Sequence, residues 1–486
     1  MQNLSVEELA ALHGSRYRWY AILASMLGAI SMVLSTTIVN VAFPEIMHHF
    51  RIGHDTVQWM STGFLAATSA TMLATAWLVN TLGQRSTFLF SLGLFVFASI
   101  LGAVSPGIEL AILARVLQGA AAGLIQPLAM ITIFQVFPPN ARGSAMSLYG
   151  VGVVLAPAVG PAVGGVLVED FGWRATFLIA LPFCLAAVLM GRKFLPGPDT
   201  TRAKSTFDWF GLLLVAAFLL AFLNLSVFGH RFGWTSWQFT LSAGVALAAL
   251  AGFIVWQYRV EHPLLKVAMF TTGAFAAACC VAFAYGLGLF GTTYLIPLFV
   301  QTVAGFSPSQ AGSLLIPPGI ALAVSIGVAG RLTDRFSAHY MVMFGLACFA
   351  LSSLLFTRAE VATGFWTLAI WIVLGRIGLG LIIPSLSLGA VQVVHPSYLA
   401  DASAAINFAR QLGGAMGVNI LAVFLEWRLA SDEHRLVAEP AGTTAVPVEE
   451  LLMKARTFAF HDSFWVVTII FALALVPAWM MRKQEG

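Results

Sequence analysis

GVGVVLAPAVGPAVGG, residues 150–165, lies inside an apolar run from Ala145 to Val168. Glycine and proline at this density weaken a membrane helix, which makes sense only where neighbours must approach its backbone or the helix must bend. Gly152, Ala156, Gly160 and Gly164 recur every four residues and fall near one face, while Pro157 and Pro161 each remove a backbone donor. A bare repeat of small residues reads equally well as a plain packing seam between helices. The terminal GPAVGG, which adds Gly165, is the more specific part.

Composition supplies the surroundings for that stretch. Of 486 residues, 59% are hydrophobic and 9% charged, with a mean hydropathy of +0.88; this excludes a soluble domain. Apolar runs of about 20 residues, each able to cross the hydrocarbon core, recur fourteen times: 19–43, 57–80, 87–105, 109–132, 145–168, 174–191, 208–228, 237–258, 274–300, 309–331, 339–357, 364–389, 405–427 and 461–481. The short alternating segments of a barrel are absent, so an all-α integral membrane fold is expected. The opening MQNLSVEELAALHGSRYR lacks the order of a signal peptide. Ser5 and Glu8 are spaced as a capping box for a short surface helix, and disorder fits the same stretch.

An even number of spans puts both termini on one side. That side collects most of the basic residues, among them Arg16, Arg18, Arg85, Arg142, Arg192, Lys193, Lys266, Arg331 and Arg335. The short loops of the other side hold only Arg51, Arg174, Arg231 and Arg358, so both termini are expected in the cytoplasm. The net charge of +4 is explained by these scattered topology signals, and no nucleic-acid partner is implied. Cys184, Cys279, Cys280 and Cys348 lie in apolar spans without CxxC spacing or a cluster of acids or histidines, which suggests neither disulfides nor a metal site.

The second half echoes the first at an offset of 254–259 residues. Thr36-Thr37 before Pro44 is shadowed by Thr292-Thr293 before Pro297, Leu78–Gly83 by Leu332–Ser337, GLIQP at 123–127 by GLIIP at 380–384, and SAMSLYG at 144–150 by SAAINFA at 403–409. Four echoes in order are the mark of a duplicated transporter. They predict a cytoplasmic segment 1–18, a six-helix bundle 19–191, connectors and inserted spans 7 and 8 over 192–273, a second six-helix bundle 274–481 and a tail 482–486. The polar stretch 428–460 is expected as an outer loop, either simply solvated or a docking surface for an external partner.

GPAVGG resembles the span 5 antiporter motif of drug exporters in the major facilitator superfamily. VLSTTIVNVAFPEI, 33–46, is similar to the span 1 signature of the fourteen-span drug:proton antiporters, with Thr37, Asn40 and Pro44 in the family places. Ser35 stands where family members typically carry an aspartate held to take part in proton coupling. AWLVNTLGQRS, 76–86, resembles the cytoplasmic latch of the superfamily; it keeps Gly83 and Arg85 but has Asn80 at the acid position. The second copy, GRLTDRF at 330–336, keeps Asp334 and Arg335, which supports a latch better there; a plain tight turn with topology charges is the other reading. LARVLQGAAAGLIQP, 113–127, resembles the RxxQG signature of span 4, and NFARQLGG, 407–414, that of span 13. FHDSFW, 460–465, after the long polar stretch, looks most like the EmrB type. The members of that type work with a periplasmic adaptor and an outer-membrane channel.

Together these resemblances imply alternating access by two bundles, with Gly152, Pro157, Gly160, Pro161, Gly164 and Gly165 permitting the sliding and Gly83, Arg85, Asp334 and Arg335 at the latches. Ser35, Thr37, Asn40, Arg115, Gln118, Gln126, Asn407 and Arg410 are the candidate cavity residues. Arg115 has two readings: it snorkels to the outer surface, or it is a buried charge that marks a substrate or proton path. Arg376 raises the same question. No carboxylate falls near mid-membrane, so proton coupling is assigned to Glu45, Glu426 or Asp462 near the outer ends, to a nearby histidine such as His48, or to a weak-acid cargo. A positive cavity without an acid favours neutral or anionic aromatic compounds over lipophilic cations. No P-loop, GxSxG or HExxH appears, so no enzyme, ATP drive or cofactor is expected. The rival readings are a facilitator or importer on the same fold and a non-transporting membrane sensor or scaffold.

Overall fold

The computed structural model describes residues 5–197, 206–438 and 448–482, and every regular element among them is helical. This suits the bilayer, since a helix satisfies its own backbone donors and acceptors. In chain order the long helices are α1 (Tyr17–Val41), α2 (His54–Leu82), α3 (Gln84–Ala103), α4 (Ile108–Val136), α5 (Arg142–Phe171), α6 (Leu181–Phe194) and α7 (Trp209–Leu223). There follow α8 (Trp237–Gln257), α9 (Gly273–Thr302), α10 (Ile316–Thr333), α11 (Ala338–Phe356), α12 (Phe365–Gln392), α13 (Leu399–Ala438) and α14 (Val448–Met480). Among the described residues 12 helices are long and apolar enough to cross a membrane. The 30-residue α5 and the 15-residue α7 overlie the two remaining apolar runs.

Two local expectations change. The apolar run 208–228 breaks at Asn224, whose Nδ2 donates to Leu220 O at 2.7 Å, and a short helix Leu225–Phe232 follows. The stretch 428–460, expected as an outer loop, is mostly helix, because α13 continues to Ala438 and α14 begins at Val448. The two ends are tied by Arg428, whose Nε and Nη2 both donate to Asp462 Oδ2, at 2.6 and 2.5 Å. Residues 439–447 of the expected docking surface lie outside the described residues. At the N-terminus the helix alternative holds: Val6–His13 carries both capping-box bonds, Ser5 N–H to Glu8 at 2.7 Å and Glu8 N–H to Ser5 Oγ at 3.2 Å.

The chain divides into two compact units, Met1–Ala276 with Ala390–Phe408, and Ala277–Gly389 with Ala409–Gly486. In the first, α4 packs against α1, α2 and α3, while α1 also packs on α5 and α6. Phe88, Leu92 and Phe95 of α3 bury among Ala121, Ala122, Ile125 and Leu128 of α4 and Cys184 and Ala187 of α6. The α2–α4 approach is set by glycine. A Cβ at Gly119 or Gly123 would overlap the carbonyls of Phe64 or Thr68 on α2, and Thr68 and Thr71 hydroxyls donate across to Gly119 O and Ala120 O at 3.1 and 2.9 Å. In the second unit Phe299 of α9 meets Phe356 of α11 and Phe460 and Phe464 of α14 edge-on. There α9 and α13 close backbone to backbone, with Gly286 against Arg410 O and Gly413 against Phe283 O.

The echoed GLIQP and GLIIP behave alike: Gly123 of α4 sits on α2, and Gly380 of α12 sits on α10, where a Cβ would come within 2.6 Å of Ser325 Cβ. The turn echo does not. Gly83 takes φ +82°, a backbone that only glycine adopts cheaply, while its shadow Ser337 sits at φ −61°.

Candidate functional site

Arg115 and Gln118 lie three residues apart on α4 and so share one face. That face meets α1, α2 and α3 at once. Arg115 Nη1 donates to Gln118 Oε1 at 2.9 Å and to Ser35 Oγ and O at 3.2 and 3.4 Å, and its Nε donates to Met60 O at 3.4 Å. Gln118 Nε2 passes the chain on to Ser99 Oγ of α3 at 2.9 Å. The Phe64 ring covers the guanidinium at 4.2 Å, a cation–π contact that the glycine-set approach of α2 and α4 makes possible. Arg115 is 1% exposed, and Ser35, Gln118 and Ser99 are fully buried. The snorkelling reading is thereby removed. Among the described residues Arg115 forms no ion pair: its charge is held by two side-chain oxygens, two carbonyls and a ring, an arrangement that costs much unless every acceptor is in place.

The other cavity candidates scatter. Gln126 is half-buried two turns further along α4. Asn407 turns its amide back onto its own helix, Nδ2 to Ser403 O at 2.9 Å, and Arg410 is half-buried in the second unit. The side chains of Thr37, Asn40, Pro157, Pro161 and Gly165 lie outside the described residues. Along the α5 face, Gly152 meets Met26 of α1, where a Cβ would lie 2.6 Å from Sδ, and Gly164 meets Ile38 at 3.3 Å; Gly160 is buried between them. The contacts advance in step, so α1 and α5 run parallel there.

A model of the Major Facilitator Superfamily matches residues 25–289 and 263–418. The chain belongs to the Major Facilitator Superfamily. It is 30% identical over 484 residues to a Multidrug resistance protein B homolog of Mycobacterium tuberculosis, covering 95% of this chain and 89% of the relative. It is 28% identical to the Tetracenomycin C resistance and export protein of Streptomyces glaucescens, covering 85% and 76%. Among solved structures, that of the human organic anion transporter MFSD10 shares the fold at a TM-score of 0.67 with 16% identity, over 96% of this chain and 99% of that one. Membership of the Major Facilitator Superfamily makes this a transporter and not an enzyme.

Within this superfamily member the three carboxyls expected to couple protons sit in different surroundings. Asp462 is engaged by Arg428. Glu426 is half-buried within electrostatic reach of Tyr294. Glu45, on a short helix Phe43–Phe50, is half-buried, and its enclosed Oε2 accepts no hydrogen bond from the described residues. At the latches, Arg85 N–H donates to Pro196 O at 3.3 Å, Asp334 caps the C-terminus of α10 with its N–H on Gly330 O at 3.2 Å, and Arg335 is exposed. Sequence reasoning missed Phe64 and the Met60 carbonyl as partners of Arg115, and Ser99 as the partner of Gln118. Nothing in the residue pattern distinguishes them from core packing, because they come together only through helix contacts.

Proposed function

We propose that the protein is a secondary exporter of toxic hydrophobic compounds, aromatic ones above all, working by alternating access and exchange for protons. The observation that carries this reading is the near full-length similarity to a multidrug resistance protein, at 30% identity over 95% of the chain. The span 5 GPAVGG supports exchange over facilitation. In this reading fourteen spans form two six-helix bundles with α7 and α8 inserted, lie in a bacterial cytoplasmic membrane and keep both termini inside. The chain hands its cargo to a periplasmic adaptor and an outer-membrane channel. With Ser35 in place of an acid, the carboxyl best placed to exchange the proton is Glu45, whose enclosed Oε2 accepts no hydrogen bond from the described residues.

A susceptibility panel on a deletion strain with and without the gene tests the export reading, and everted vesicles with and without a proton gradient test its drive. Protection by the gene together with gradient-dependent uptake is expected. Uptake that ignores the gradient would point to a facilitator, and an unchanged panel to a protein that does not export toxicants.

A further inference from the structure

The second unit holds a polar cluster of its own inside its apolar helices. Arg376 of α12 donates from Nη2 to Thr293 Oγ1 of α9 at 3.2 Å, and among the described residues it forms no ion pair. Eight residues back along α9, Tyr285 is 1% exposed, and its enclosed hydroxyl has no hydrogen-bond partner among the described residues. Arg376 and Arg410 both lie within electrostatic reach of that hydroxyl. Arg410 is brought there by the tight α9–α13 contact, in which Gly286, the neighbour of Tyr285, lies against Arg410 O. One turn further along α13, Gly414 packs against Phe290, a ring left 40% exposed.

A buried hydroxyl without a partner costs about 1–3 kcal/mol, and a cation in hydrocarbon costs more, so a protein retains both where something else completes them. What suits a phenol within electrostatic reach of two guanidinium groups is an acceptor-only anion. A carboxylate accepts from arginine and from the hydroxyl at once, while the half-exposed phenyl ring receives a flat apolar body. Lipid headgroups are the wrong source, because Tyr285, Arg376 and Arg410 each lie twelve or so residues inside their helices.

We propose that Arg376, Arg410 and Tyr285 form a recognition subsite for the carboxylate of an aromatic organic acid, with Phe290 against its ring. This rests on the export reading for its physiological meaning, but binding is measurable without transport. The test is calorimetric titration of the purified full-length protein in lipid nanodiscs at pH 7 with 1-naphthoate and with its neutral isostere 1-naphthamide. The wild type is expected to bind the acid at least about tenfold more tightly, the range of one to two charge-assisted hydrogen bonds. Arg376→Gln is expected to erase that preference and Arg376→Lys to keep part of it. Tyr285→Phe is expected to weaken naphthoate several-fold with no loss of thermal stability, since it removes an unpartnered group.

Equal affinity for acid and amide in the wild type would overturn the subsite, as would an Arg376→Gln variant that keeps the preference. Should Arg376→Gln fail to fold, the wild-type acid-to-amide ratio and Tyr285→Phe still decide. Selective naphthoate binding by a protein that drives no export in vesicles would overturn the export reading and leave the subsite standing. Export without acid selectivity would do the reverse.

Discussion

Each unit carries an arginine deep in an apolar helix, and the two are treated in opposite ways. Arg115 is closed in against α1 and α2, bonded to Ser35, Gln118 and the Met60 carbonyl, and roofed by Phe64. Arg376 is half-buried, and the side chain it donates to is an exposed threonine hydroxyl. A charge whose donors are consumed by its own protein is a strut; a charge that keeps donors in hand faces something that comes and goes. The repeat does not predict this difference, since the 257-residue offset that pairs Gly123 with Gly380 pairs Arg376 with Gly119, not with Arg115.

The largest expected effect is on Arg115. Arg115→Ala leaves the Ser35 and Gln118 acceptors enclosed without donors, at about 1–3 kcal/mol for each group, and the yield of monodisperse protein should collapse. Arg376→Ala should leave that yield near wild type. Equal losses, measured side by side by size exclusion and thermal melting, would erase the distinction between strut and ligand-facing charge.

The glycine contacts sharpen the same contrast between fixed and yielding surroundings. Gly119→Ala drives a methyl into the Phe64 carbonyl, and overpacking of this kind costs about 1–3 kcal/mol. Gly152→Ala meets the thioether of Met26, a flexible side chain that can swing away, so its melting temperature should fall less. At the buried Gly160, a leucine is expected to abolish transport while the protein still inserts; undiminished export by a well-expressed Gly160→Leu protein speaks against a moving seam.

Ser35→Asp places a carboxylate where Arg115 now donates to a hydroxyl at 3.2 Å. The protein should fold at least as well, and cargo preference should move from acids towards cations by a factor on the order of ten, the worth of about 1.4 kcal/mol. Uptake of a quaternary ammonium dye against that of a weak acid in everted vesicles reads this out. The smallest effect belongs to Asp462→Asn. Its pair with Arg428 is 39% and 22% exposed respectively, and such pairs contribute about 0–1 kcal/mol. Proton-driven transport should survive the change, whereas Glu45→Gln should stop it; the opposite outcome would reassign coupling to the Arg428–Asp462 pair.

Much of the architecture was legible because membrane helices announce themselves by length and hydropathy, and because the family tokens stand in order along the chain. Boundaries failed where hydropathy is a poor guide to helix ends. The polar stretch after Glu426 stays helical to Ala438, since a helix needs only its own backbone and continues past the apolar run. Gly83 and Ser337 looked like copies of one turn and adopt different backbones, because the first is a glycine and the second is not.

The sequence alone determined that this chain is a membrane-embedded helical protein of transporter type, and it singled out Arg115, Gln118 and Ser35 as residues that matter. Only the tertiary structure decided what they do to one another. Hydropathy is summed along one chain segment, whereas the fate of a guanidinium depends on which carbonyls, hydroxyls and rings other helices bring within reach of it. That proximity is set at the α2–α4 contact, where two glycines let the backbones meet.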